Sequence, residues 1–247
     1  MAPRHAAQNV DTVVASLNRL ATKRTRDGLA RYGIPSDNAL GVTIGAIQKL
    51  AKPIGRNHDL AEALWQTEWY EARLLAAFVD DPERVTPAQM DRWCRDFDNW
   101  GICDTVCFKL FDRSPHAWRK ATAWASRRNE FERRGGFVLM ACLALHDREA
   151  ADDAFLLFLP LIERAATDDR NFVKKAVNWA LRAIGGRSAP LNVAAVAVSR
   201  RLAGSPDAAA KWVGKDALRQ LTSPVTTRRL AAKARTTSRR KDSAKAL

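Results

Sequence analysis

No apolar run in this sequence approaches the ~20 residues needed to cross a bilayer. The N-terminal stretch has neither a continuous apolar segment nor a small-residue cleavage site. A soluble, cytosolic protein is expected, with no membrane partner. Cysteine is scarce: Cys94, Cys103, Cys107 and Cys142 are the four in 247 residues, and a chain of this size needs no disulfide staples. Cys103 and Cys107 are four apart, close enough on a helix to share an ion. No His/Cys pair of ligand spacing accompanies them, and His5, His58, His116 and His146 stand singly. The thiols read as small core residues, so no metal or cofactor is expected. Sustained apolar–polar alternation is missing too, which argues against strands and leaves an all-α chain.

Acidic residues are outnumbered, 27 against 41 Lys and Arg, for a formal charge of +14. Residues 223–247 hold eight of those cations against the single Asp242, so half of the surplus sits in the last tenth of the chain. The body stays basic without it. A basic body fits nucleic acid, an anionic membrane surface or a merely solvated exterior, and no strongly amphipathic basic helix supports the membrane. From Ser223 onward apolar residues thin out and Thr, Ser, Arg and Lys dominate. The expectation is one domain over 1–222 and a disordered basic tail over 223–247, which either attracts phosphates or keeps the protein soluble.

Apolar residues at Val10, Val13, Val14, Leu17 and Leu20 follow the helical period, with Asn9 or Asp11 as cap. Further helices are expected around 39–52, 59–78, 87–97, 101–113, 115–128, 130–146, 151–166, 170–184, 190–203 and 207–221. Thr86-Pro87 and Ser114-Pro115 read as N-cap followed by a first-turn proline. Short helices paired in sequence fit a solenoid whose helix pairs recur about every 40 residues. A compact irregular bundle has the same periodicity.

Three segments carry chemistry. In the first, Trp100 and Asp104 are four apart and stack on one helical face, away from the core stripe of Ile102, Cys103, Val106, Cys107 and Leu110. A carboxylate against Trp100 and Phe108 is disfavoured by desolvation unless it has a partner or a function. The second is Glu132-Arg133-Arg134-Gly135-Gly136, whose Arg134 is a candidate partner for Asp104, by an ordinary salt bridge or a functional one. Its two glycines cost a helix roughly 2 kcal/mol relative to alanines, which makes sense where another backbone approaches closely. The third runs from Lys174 to Arg182. There Val173, Ala176, Val177, Ala180, Leu181 and Ile184 form the core stripe, and Trp179 lies roughly 200° of helical rotation from Val177, on the side of Lys175 and Arg182. Either a neighbouring helix covers that indole or a ligand does.

In this order and at these separations, the segments resemble the AlkD-like family of DNA alkylation repair glycosylases, built from HEAT-like helical repeats. The resemblance spans roughly 10–222. A Trp followed four residues later by Asp is similar to Trp100 and Asp104; an Arg followed by small residues and an aliphatic run resembles Arg134 to Leu139; a late K-A-hydrophobic-x-W-hydrophobic-L-R helix resembles Lys175 to Arg182 and implies that Trp179 is the second active-site tryptophan. Two positions depart from the pattern. The residue after the first Trp, often Asp in the family, is Gly101, and Arg133 competes with Arg134 for the family's arginine.

The resemblance implies a curved superhelix of antiparallel helix pairs with duplex DNA in its concave basic face, and a monofunctional glycosylase, monomeric and nucleoid-associated. Such an enzyme hydrolyses the N-glycosidic bond of cationic N3- or N7-alkylated purines and leaves an abasic site. Asp104, Trp100 and Trp179 would be catalytic, and Arg134, Arg133, Lys175 and Arg182 would contact DNA. The residue types suit that chemistry. An alkylated purine is already a cation, so it leaves without a general acid; an anion stabilises the developing oxocarbenium ion and indole faces attract the cationic base. No lysine lies within four positions of Asp104 on its face, so a Schiff base is not expected. The alternative is a catalytically silent helical-repeat protein that binds damaged or branched DNA, for which a Trp100/Asp104 pair has no evident use.

Overall fold

The computed structural model describes residues 9–245, with side chains described up to residue 233 and at 235. Helices run α1 Val10–Leu20, α2 Lys23–Gly28, α3 Ile44–Ile54, α4 His58–Gln66, α5 Tyr70–Val79, α6 Pro87–Arg95, α7 Trp100–Lys109, α8 Ala117–Trp124, α9 Glu130–His146, α10 Asp152–Leu156, α11 Leu159–Ala165, α12 Asn171–Gly185, α13 Ala189–Ala203, α14 Ala208–Leu221 and α15 Pro224–Lys245. No strand occurs among the described residues. Short polar side chains start most of these helices by accepting from their first free amides, as Asn9, Asn57, Asn99, Asn129 and Asp207 do. Thr86 opens α6 with a full capping box closed by Gln89, and Pro87 occupies the first turn as expected. Ser114-Pro115 behaves differently. It lies in a turn, and α8 begins only at Ala117.

Two expected helices are each divided. The 59–78 stretch breaks between α4 and α5, where Glu68 takes a left-handed φ of 61°. The 151–166 stretch breaks around Leu157 and Phe158, with Pro160 in the first turn of α11. The expected tail also departs from expectation at its start: α15 is helical from Pro224, and its first turns bury Thr226 and Leu230. An Ala-rich stretch with an apolar residue at Val225 and Leu230 tolerates helix well when a neighbouring surface receives it. Residues 1–8, 246 and 247 lie outside the described residues.

The chain divides into two compact units, 1–116 and 117–247. In the first, α3, α5 and α7 pack successively and α4 packs on α5. Its core centres on Trp65 and Trp93, stacked 4.0 Å apart, with Phe97 and Phe111 against them. The buried Glu71 carboxylate accepts from the amides of Leu40, Gly41 and Val42, which ties the loop before α3 to α5. In the second unit α9, α12 and α14 pack successively, while α8, α11 and α13 pair with them. Successive helices with a partner on one side are the packing of a helical repeat. Trp118 sits on Phe155 and Phe158 there, with its indole N–H donated to Asp147. Gly136 of α9 bears out the reading of the glycine pair. A Cβ there would lie 2.4 Å from the Ala125 backbone nitrogen, so the end of α8 closes on α9 only over a bare Cα.

Candidate active site

The first unit holds Trp100 and Asp104. Along α7 the residues Ile102, Cys103, Val106 and Cys107 are buried, as is Leu110 after it, while Trp100, Asp104 and Phe108 are half-exposed. The helical period thus separates a core stripe from a second face bearing one carboxylate between two aromatic residues. Asn99 caps the helix through Ile102 N–H. The Trp100 indole is anchored from a distance in sequence: its Nε1–H donates to the Tyr32 carbonyl at 2.8 Å, across 68 residues. That bond fixes the plane of a half-exposed ring that would otherwise turn freely.

Gly101 now has a reason. A Cβ at this position would lie 2.6 Å from the Tyr70 hydroxyl and 3.1 Å from the Asn99 side-chain oxygen. The space that an aspartate would take is filled by Tyr70, which nothing in the sequence pattern singled out. Burial pushes the Tyr70 phenol up to about 12, with the charges of Glu71 and Asp98 adding to the effect.

The second unit holds Arg133, Arg134, Lys175, Trp179 and Arg182. Arg134 is buried, and its Nη1–H donates to the Phe172 carbonyl at 2.6 Å, at the first turn of α12. Arg133 lies 3.3 Å from Asp168, which also takes three hydrogen bonds from Arg170, two from its guanidinium and one from its backbone N–H. Burial alone would raise the Asp168 pKa, but the Arg170 hydrogen bonds and the charges of Arg170 and Arg133 outweigh it and hold it below the usual carboxylate range. Of the two competing arginines, Arg133 thus stands at a carboxylate and Arg134 donates to a backbone carbonyl.

On α12 every residue of the expected core stripe is buried, Lys175 is exposed, and Trp179 and Arg182 are half-buried. Neither a covering helix nor open solvent describes the surroundings of Trp179 alone. The indole lines a cavity of about 250 Å³, together with Arg182, Arg187, Gln220, Arg229 and Lys233. Among the described residues no carboxylate lines that cavity. Its last two cations come from α15, and only their place in a basic segment marked them in the sequence.

A half-exposed indole and carboxylate on one repeat helix, and a second indole within a basic cavity, are features of a nucleic-acid-acting helical-repeat protein. The chain belongs to the DNA alkylation repair enzyme family, whose model matches residues 13–221. Its fold is the all-α HEAT-like repeat. A solved structure from a family related to the HEAT-like repeat DNA glycosylases, with affinity for branched DNA structures, is similar with a TM-score of 0.70 and 23% identity, covering 85% of this chain and 94% of that one. None of the curated proteins matches the sequence. No helix among the described residues is long and apolar enough to cross a membrane.

Proposed function

We propose that this protein is a monofunctional DNA glycosylase that removes cationic N3- and N7-alkylated purines from duplex DNA and leaves an abasic site. The observation that carries this reading is the second face of α7, where Asp104 stands between two aromatic residues and Trp100 is held in plane by the Tyr32 carbonyl. The damaged base carries a positive charge before any bond is broken. As the bond from the sugar C1′ to the base nitrogen breaks, its electron pair neutralises the departing alkylpurine, and positive charge moves to the sugar. The Asp104 carboxylate stabilises that oxocarbenium character and orients the water whose oxygen bonds to C1′ while its proton passes to solvent. Trp100 and Trp179 offer aromatic faces to the cationic base and the sugar edge. Arg134, braced on Phe172, adds positive potential for a phosphate beside the lesion, and Arg133, Lys175 and Arg182 hold the backbone without reading sequence. The protein acts as a monomer on DNA in the cytoplasm and nucleoid.

The second reading is a catalytically silent binder of damaged or branched DNA, the affinity stated for the family of the similar solved structure. A binder has use for the cations of the second unit and none for a carboxylate next to Trp100. Incubation with a duplex bearing a single N7-methylguanine separates the two. Free N7-methylguanine and an alkali-labile site at that position are expected; tight binding with no released base over many hours would select the binder.

A further inference from the structure

The cavity on α12 holds more cationic groups than folding accounts for. Lys233 serves the fold, since its ammonium donates to the carbonyls of Gly186 and Arg187 at 3.1 and 3.3 Å, which closes the C-terminal end of α12 and docks α15. Arg187 is engaged with the carbonyls of Ala144 and Ala150, lies over the Phe155 ring and stands 3.8 Å from the Asp152 carboxylate. Arg182 reaches Gln220 through one Nη, yet its Nε is buried with no acceptor among the described residues. Arg229 lines the cavity, to which none of the described residues brings a carboxylate, and its guanidinium lies against the Cα of Gly186, where a Cβ would come within 2.6 Å of Nη2. Arg182 and Arg229 add charge beyond the Arg187–Asp152 pair, and like charges brought close repel one another unless an anion sits among them. Burial, and then the charges of Arg229 and Arg187, depress the Lys233 pKa below the usual lysine value, which registers the same crowding.

We propose that this cavity is a phosphate-binding site, in which the Arg182 and Arg229 guanidinium groups take the oxygens of one phosphate and the Trp179 indole packs against the sugar that carries it. A buried Nε–H lacking an acceptor and a second planar guanidinium are the donors that a tetrahedral oxyanion satisfies. A volume of about 250 Å³ takes a phosphate and part of one nucleotide but not a larger cofactor. The phosphate has two sources, the DNA backbone or free inorganic phosphate. The backbone source rests on the reading of the protein as DNA-acting; the phosphate site itself does not. With the backbone, the start of α15 becomes a fixed clamp beside Trp179, setting the position of the sugar against that indole.

Two arms test this with the full chain. In the first, inorganic phosphate is titrated against chloride at constant ionic strength and the fluorescence change is read, Trp179→Phe identifying the part that arises from that ring. Wild type is expected to show a saturable change. Arg229→Gln should weaken it by about tenfold, the loss of one charge-assisted contact. Gly186→Ala should weaken it to a similar degree, because its methyl displaces the Arg229 guanidinium while leaving the net charge intact. Lys49→Gln, an exposed cation of the first unit, is the charge-matched comparison and should change nothing. In the second arm, binding of a labelled undamaged duplex is followed against salt, and both cavity variants should flatten the log–log slope by about one. Loss in both arms supports the site with the DNA backbone as the source; loss in the first arm alone supports it with free phosphate as the source. No saturable phosphate response, or variants indistinguishable from wild type in both arms, would overturn it, provided that melting curves show the variants folded. Base excision is measured in neither arm, so failure here leaves the glycosylase reading standing, and failure of that reading leaves the phosphate titration interpretable.

Discussion

The α7 face of the first unit and the α12 cavity of the second both present a tryptophan, but their electrostatics are opposite. On α7 the indole stands beside a carboxylate and is fixed through a backbone carbonyl. On α12 it stands among cations, and none of the described residues brings a carboxylate to the space. A polyanion is held by the second kind of surface and repelled by the first, and the proposed function gives the acid at the first a positive charge to act on, one that appears during the reaction. On that proposal holding and chemistry fall to different helices, and variants should separate them.

The largest effect is expected at the acid. Asp104→Asn should lower single-turnover excision of N7-methylguanine by on the order of 10²- to 10³-fold while leaving duplex affinity nearly intact. Equal rates for variant and wild type would remove Asp104 as the catalytic anion. Next is Gly136→Ala, whose methyl meets the Ala125 backbone rather than a movable side chain. A stability loss of roughly 1 to 3 kcal/mol is expected, by the usual cost of overpacking, and denaturant unfolding reads it. An unchanged midpoint would mean that α8 and α9 separate easily. Trp179→Ala should follow, at roughly 1 to 2 kcal/mol in transition-state terms, if the indole face contributes a partly desolvated cation–π contact. In contrast to Asp104→Asn it should also weaken binding, and an excision rate indifferent to the loss would take Trp179 out of the mechanism.

How much of this was legible in the sequence depends on the range of the interaction that decides each feature. The stripes of α7 and α12, the capping box at Thr86 and the close approach at Gly136 are written within a few residues, and the helical period or a local propensity exposes them. The break at Glu68 is not, because the apolar period runs through 59–78 without interruption and the turn between α4 and α5 depends on tertiary packing. Nor is the Tyr32 carbonyl beneath Trp100, since any residue supplies a carbonyl and nothing in 68 intervening residues marks it. Arg229 was visible only as one cation in a basic segment. Its place against Gly186 needs α15 to fold onto the end of α12, which composition alone argued against. Tyr70 was readable only in retrospect, from a glycine where the resembling family often has an aspartate.

Two smaller effects sharpen the contrast between the units. Removing residues 223–247 should flatten the salt dependence of duplex binding without abolishing excision if, as proposed, cations hold the DNA and Asp104 does the chemistry. An unchanged slope would leave the segment without a role in binding. Asp168 anchors Arg133 and Arg170 in the second unit, with its pKa held below the unfolded-state value near ~3.9. Its contribution to stability is therefore full above that value and lost as the pH falls through the lower folded-state one. Asp168→Asn should melt below wild type at pH 7, and the gap should narrow as the pH drops below ~4; a gap independent of pH would show that the charge of Asp168 is not what matters.

The central claim, that an anion and two indoles act on a base already carrying positive charge, is tested most directly by one comparison. Single-turnover release is measured from the same duplex carrying N7-methylguanine, hypoxanthine or uracil at one position. The account predicts release of N7-methylguanine and little or none of the two neutral bases, because no acid is assigned to protonate a neutral leaving group. Efficient release of hypoxanthine or uracil would contradict it, even with the fold and family unchanged.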